Sequence, residues 1–142
     1  MDSTPNFVQK MARYLFSHRG LATILLILSL DICTYAALSR QSGTMAFQHQ
    51  DKVLHVLAFA FLFVLGYWVL NFDMWRKKYR LSFGLVVLNS FIWLGYGAFI
   101  EVTQFYLGYR SASVGDFLAD LTGMVLGLGF LGLFRPFPSV VS

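Results

Sequence analysis

The chain has 142 residues, 57% of them hydrophobic and only 13% charged, with seven acids against eleven bases and a net charge of +4. An average soluble domain carries roughly 25% charged residues, and a domain this short exposes too much surface to hide so apolar a composition in one core. The bases lie beside apolar runs and are not interleaved with aromatics on a polar face, which points to membrane lipid as the partner and away from nucleic acid.

A polar leader, residues 1–19, comes first. Phe7, Val8, Met11 and Leu15 share one helical face, with Gln9, Lys10 and Arg13 elsewhere. This pattern suits a short helix lying in the membrane interface, or else a frayed terminus. Four apolar stretches follow, at residues 20–38, 53–70, 81–105 and 114–134. Each is near the roughly 20 residues that cross a bilayer. The first starts late, carries Asp31, and has bulky Tyr35 beside Ala36 and Ala37, so it is expected to be a retained span rather than a cleaved signal. A tail, residues 135–142, closes the chain. The expected fold is all-α: a polytopic membrane protein built as one four-transmembrane-helix bundle over residues 20–134. Cys33 is the single cysteine, so neither a disulfide nor a metal-type cysteine spacing is available, and it is read as a small hydrophobe.

The bases set the expected direction. Lys10, Arg13, Arg19, Arg76, Lys77, Lys78, Arg80 and Arg135 share one side of a four-span topology, against Arg40, Lys52 and Arg110 on the other. By the positive-inside rule both termini are expected in the cytoplasm of a cell-membrane protein. Trp68, Trp75 and Tyr79 then fall near the inner interface, with Tyr106 and Tyr109 near the outer one.

The acids show the opposite bias. Only Asp2 and Asp73 fall on the cytoplasmic side; Asp31, Asp51, Glu101, Asp116 and Asp120 fall in the outer halves or outer ends of the spans. Ionisable groups in spans are costly, so they face the bundle interior and find partners. Asp51 and His55 are one turn apart, with Lys52 beside them; Glu101 and Gln104 share a face, as do Asp116 and Asp120. Arg110, in the loop before the fourth span, is expected over the same place. Ser113 with Asp116 has the form of a capping box. Asp31 stands alone in its span and is expected to pair with Lys52 or Arg110, or to face a cavity. On the fourth span Gly115, Ala119, Gly123 and Gly127 recur every fourth residue, a pattern that lets another helix approach closely.

The candidate ligand-binding residues are therefore Asp51, Lys52, His55, Glu101, Gln104, Arg110, Asp116 and Asp120, with His55, Glu101, Asp116 and Asp120 as catalytic candidates. The acids exceed the bases in this group, an imbalance relieved by proton uptake or by recruiting a cation. The alternative is a structural network that ties three helices together. Zinc-type spacing, glycine-rich phosphate loops and nucleophile-elbow motifs are absent from the sequence, so no metal is expected and no cofactor can be named.

Two segments, DKVLHVLAFAFLFVLG at Asp51–Gly66 and EVTQFYLGYRSASVGDFLADLTGMVLG at Glu101–Gly127, resemble the VanZ-like family of small bacterial membrane proteins. The resemblance rests on an Asp-Lys-x-x-His helix start, a Glu-x-x-Gln helix end, and an arginine-to-aspartate segment followed by glycines. Two departures stand out. Leu107-Gly108-Tyr109 precedes Arg110 where the family often has Pro-Gly, and Asp120 stands where it usually has Asn. The resemblance implies a cell-envelope role, since the founding member is linked to low-level glycopeptide resistance, chiefly to teicoplanin. The expected function is binding or processing of a lipid-linked or anionic envelope ligand in an outward-facing polar pocket. Hydrolysis of a lipid headgroup and proton- or cation-coupled transport are the alternatives.

Overall fold

The computed structural model describes residues 18–39, 50–71, 81–108 and 114–133. They form four helices: α1 His18–Leu38, α2 Gln50–Leu70, α3 Phe83–Leu107 and α4 Val114–Leu133. All four are long and apolar enough to cross a membrane, and no strand occurs among the described residues. The all-α membrane architecture is therefore as expected. The leader helix, the basic loop Arg76 to Arg80, Trp75, Tyr79, Tyr109, Arg40, Arg135 and Ser113 lie outside the described residues.

The helix ends follow local chemistry. Instead of starting at Val53, α2 begins at Gln50, which places Asp51 in the first turn. A carboxylate there is favoured by the free N–H groups and the positive end of the helix dipole. Ser82, in extended backbone, caps α3 by accepting a hydrogen bond from the Leu85 N–H. Gly108 closes the same helix at φ 69°, where its N–H donates to Phe105 O. That left-handed cap suits glycine, which has no Cβ to clash.

Contacts at the ends give an up-down-up-down arrangement. Arg19 Nε donates to Val69 O, tying the start of α1 to the end of α2. The Ser82 N–H donates to Tyr67 Oη at 2.9 Å, joining the end of α2 to the start of α3. Gln104 Nε2 donates to Ala37 O, joining the far ends of α1 and α3. In such a bundle alternate helices run parallel, and α2 and α4 form the most extensive contact.

Small residues explain that closeness. A Cβ on Gly123 would collide with Val56 O of α2, and one on Gly127 would lie 2.8 Å from Ala60 O. Ala119, Gly123 and Gly127 are buried as the four-residue spacing requires, while Gly115 is half-buried. The core beneath comprises Phe59, Leu62, Phe63, Tyr67, Trp93, Met124 and Leu131. Asn89, fully buried, is held by its own turn and its neighbour: Nδ2 donates to Phe63 O, and Oδ1 accepts from Trp93 Nε1. Outside, the bundle is covered by apolar side chains such as Leu57, Phe91, Phe99 and Val125. Lipid suits that surface, because association in water would bury it.

Candidate functional site

The parallel starts of α2 and α4 bring two consecutive pairs together. Lys52 Nζ lies 3.0 Å from Asp116 Oδ1, and one turn deeper His55 Nδ1 lies 2.7 Å from Asp120 Oδ1. Asp116 and Asp120 are nearly fully buried, while the Lys52 side chain is partly exposed. His55 Nε2 faces Asp51 Oδ1 at 4.0 Å across one helical turn. The histidine thus has a short bond to one carboxylate and its other ring nitrogen turned toward a second.

Asp120 also reaches the third helix. A Cβ at Gly97 of α3 would lie 2.8 Å from Asp120 Oδ2, so glycine there makes room for the carboxylate. The His55 ring stacks on Phe59 at 6.5 Å, and Phe59 in turn meets Tyr96 at 6.0 Å. Tyr96 Oη and Thr34 Oγ1 of α1 are 2.9 Å apart. The site therefore has a polar wall made by α2 and α4 and an aromatic wall made by α2 and α3.

Between these walls and α1 lies a cavity of about 210 Å³. Ile32, Cys33, Ala36, Leu54, Ala58 and Ile100 give it an apolar lining, and Asp51 and His55 form its polar end. An apolar lining of this kind suits apolar guests. Asp51, His55 and Asp116 also offer ligand atoms that all lie within 4.8 Å of one another, the one described group of three able to hold a metal ion. Asp120 on the opposite ring nitrogen would orient the imidazole, as carboxylates behind ligating histidines do.

Of the residues expected at the site, Asp51, Lys52, His55, Asp116 and Asp120 come together directly. Gln104 is fully buried but donates to Ala37 O, so its amide ties α3 to the end of α1. Glu101 is half-buried one turn before it, and the partners found for Lys52 and His55 are aspartates. Arg110, Ser111 and Ser113 lie outside the described residues. Asp31 departs from expectation as to Lys52 and the cavity, while its expected pairing with Arg110 lies outside the described residues. It is exposed, it does not line the cavity, and Lys52 pairs with Asp116 instead. The reason is rotational: Cys33 and Ala37 turn the packed side of α1 toward the bundle, and Asp31 points away from it.

The contributions of Ala58, Tyr96 and Thr34 have no counterpart in the sequence reading. Nothing in their spacing marks them, because the cavity depends on how α1 leans against α2 and α3. The His55–Asp120 pair was within reach. Alternate spans of an up-down bundle run parallel, so polar residues one turn into each must meet.

A model of the VanZ/LLP1 family matches residues 5–135, nearly the whole chain and including α1 and most of the leader. The chain belongs to the VanZ/LLP1 family. No curated protein and no solved structure matches it. Membership and the four helices together make this a VanZ-like, multi-pass membrane protein.

Proposed function

We propose that this VanZ-like protein binds a lipid-linked ligand of the cell envelope, with its chain in the α1–α2–α3 cavity and its head at Asp51 and His55. The observation that supports this reading is the continuity of an apolar cavity with a polar end. Amphiphiles need that combination. The head meets the Asp51 carboxylate and the His55 ring that form the cavity's polar end, while Lys52 pairs with Asp116 and His55 with Asp120. Any phosphate or carboxylate on the same ligand falls to Arg110, whose guanidinium suits planar anions. In this proposal both termini are cytoplasmic and the site faces outward, a direction supported by the eight-to-three division of bases.

The test is retention of lipid by the purified protein, read by mass spectrometry of the detergent complex. Ala58→Phe fills the cavity and should remove the bound species, and Arg110→Ala should weaken it. Equal retention by wild type and Ala58→Phe would overturn the proposal. Sidedness is read separately, by impermeant maleimide on cells carrying Gln48→Cys or Lys77→Cys. Only the first should label. Teicoplanin susceptibility of cells with and without the protein then tests whether the ligand bears on glycopeptide action.

A second reading, hydrolysis of a lipid headgroup, is favoured by His55 itself. Asp120 on Nδ1 would fix the tautomer that leaves Nε2 free, either as a general base or as a metal ligand beside Asp51 and Asp116. Headgroup release that needs added zinc or manganese, and disappears in His55→Gln, would favour hydrolysis over binding. Transport has less support. Phe59, Leu62 and Phe63 separate the acidic end from Asn89, whose polar atoms are already bonded.

A further inference from the structure

Gln104 has half of its amide engaged. Nε2 donates to Ala37 O at 2.9 Å, in the last turn of α1, where carbonyls lack partners within their own helix. The amide oxygen, Oε1, is buried with the rest of the side chain and has no hydrogen-bond partner among the described residues. Exchanging the two amide atoms is no remedy, because it would set one oxygen against Ala37 O. Leaving a buried acceptor unbonded is costly, so native structures almost always supply a donor.

Its place in the bundle points to the source of that donor. Tyr96, Ile100 and Gln104 follow at four-residue steps along α3; Tyr96 and Ile100 line the cavity, and Gln104 stands one turn further along the same side. Its partner Ala37 also lines the cavity. Asp51 is at this end too, because α1 and α3 finish where α2 begins. The cavity's polar end thus has acceptors on two helices, the Asp51 carboxylate and Gln104 Oε1. An unprotonated phosphate or carboxylate offers neither of them a proton, whereas a hydroxyl or an amide N–H does.

We infer that Gln104 is a ligand-binding residue whose Oε1 accepts a hydrogen bond from a hydroxyl or amide N–H on the head of the amphiphile. The inference rests on the binding function proposed above and narrows the ligand to one whose head carries neutral donors. The amide has two jobs. With Nε2 held at Ala37 O, Oε1 is fixed before the ligand arrives, so little side-chain freedom is lost on binding.

Competition between two short amphiphiles tests this. Purified protein is incubated with equal amounts of monodecanoylglycerol, which has hydroxyl donors, and methyl decanoate, which has the same acyl chain and none. Native mass spectrometry then counts the bound species. The wild type should favour the glycerol ester, and Gln104→Leu should cut that preference about fivefold, the scale of one neutral hydrogen bond. Methyl decanoate should still bind. A ratio of two ligands within one variant is insensitive to the stability lost with the α1–α3 tie. Should Gln104→Leu fail to fold, Gln104→Met, close to glutamine in length, is read in the same way. Ala58→Phe should lose both probes. A wild type that binds neither, or Ala58→Phe binding both as the wild type does, would overturn the cavity reading and this inference with it. A wild type without preference, or a preference unchanged at Gln104→Leu, leaves the cavity reading standing and overturns the role of Gln104, with an ordered water as the donor to Oε1.

Discussion

His55 and Asp120 lie on different helices, yet their side chains approach to 2.7 Å, and the bond crosses the closest-packed interface in the bundle. The contact ties chemistry to packing. One turn past Asp120, Gly123 lets α4 sit against the backbone of α2, so the aspartate and histidine meet without either side chain stretching.

Asp120→Asn should fold like the wild type, because an amide oxygen accepts the same hydrogen bond from His55 Nδ1. Its melting temperature in detergent should change little. Asp120→Leu leaves a half-buried imidazole without that partner and should cost about 1–3 kcal/mol. If both variants melt alike, the bond contributes nothing measurable to the fold.

Much of this was legible in the chain because membrane physics allows few solutions. Apolar length fixes the spans, and the cost of charge in lipid singles out the few acids and bases. Asp51, Lys52, His55, Asp116 and Asp120 could be grouped because α2 and α4 start at the same end. Asp31 and Gln104 could not be placed that way. Whether a span residue faces the bundle or lipid depends on rotation about the helix axis, and α1 is too uniformly apolar to fix that rotation by pattern. The cavity was invisible for a related reason: it is a gap between helices, and spacing along one chain segment does not describe it.

Glycines on α4 should divide sharply. Gly123→Ala and Gly127→Ala place a methyl against α2 backbone oxygens and should destabilise by about 1–3 kcal/mol each. Gly129→Ala and Gly132→Ala meet open space, so they should be neutral or mildly stabilising through better helix propensity. Melting temperatures of the four single variants check this, and equal losses across all four would show that packing against α2 is not the cause.

Asn89→Leu should be costly despite its apolar surroundings. It removes the acceptor of Trp93 Nε1 and the donor to Phe63 O together, leaving a buried indole N–H without a partner. About 1–3 kcal/mol is expected. Asn89→Leu combined with Trp93→Phe should recover part of that loss, since the orphaned donor is gone. The double variant melting below Asn89→Leu would indicate that indole packing outweighs its hydrogen bond.

Lys52 and Asp116 make the clearest test of coupling between the two parallel helices. Lys52→Met removes the cation but keeps a stem of similar length; Asp116→Asn removes the charge it balances. Each single change leaves a charge with no partner at the cavity's polar end, and the double variant leaves neither. The cycle should give a coupling of about 1 kcal/mol, because Lys52 is partly exposed and solvent screens the pair. Lys52→Met alone should be the worse of the two, since the carboxylate it strands is nearly fully buried and lies within reach of Asp51 and His55. Raising the salt concentration should narrow that difference, whereas a gap independent of salt would assign the effect to packing of the lysine stem instead of its charge.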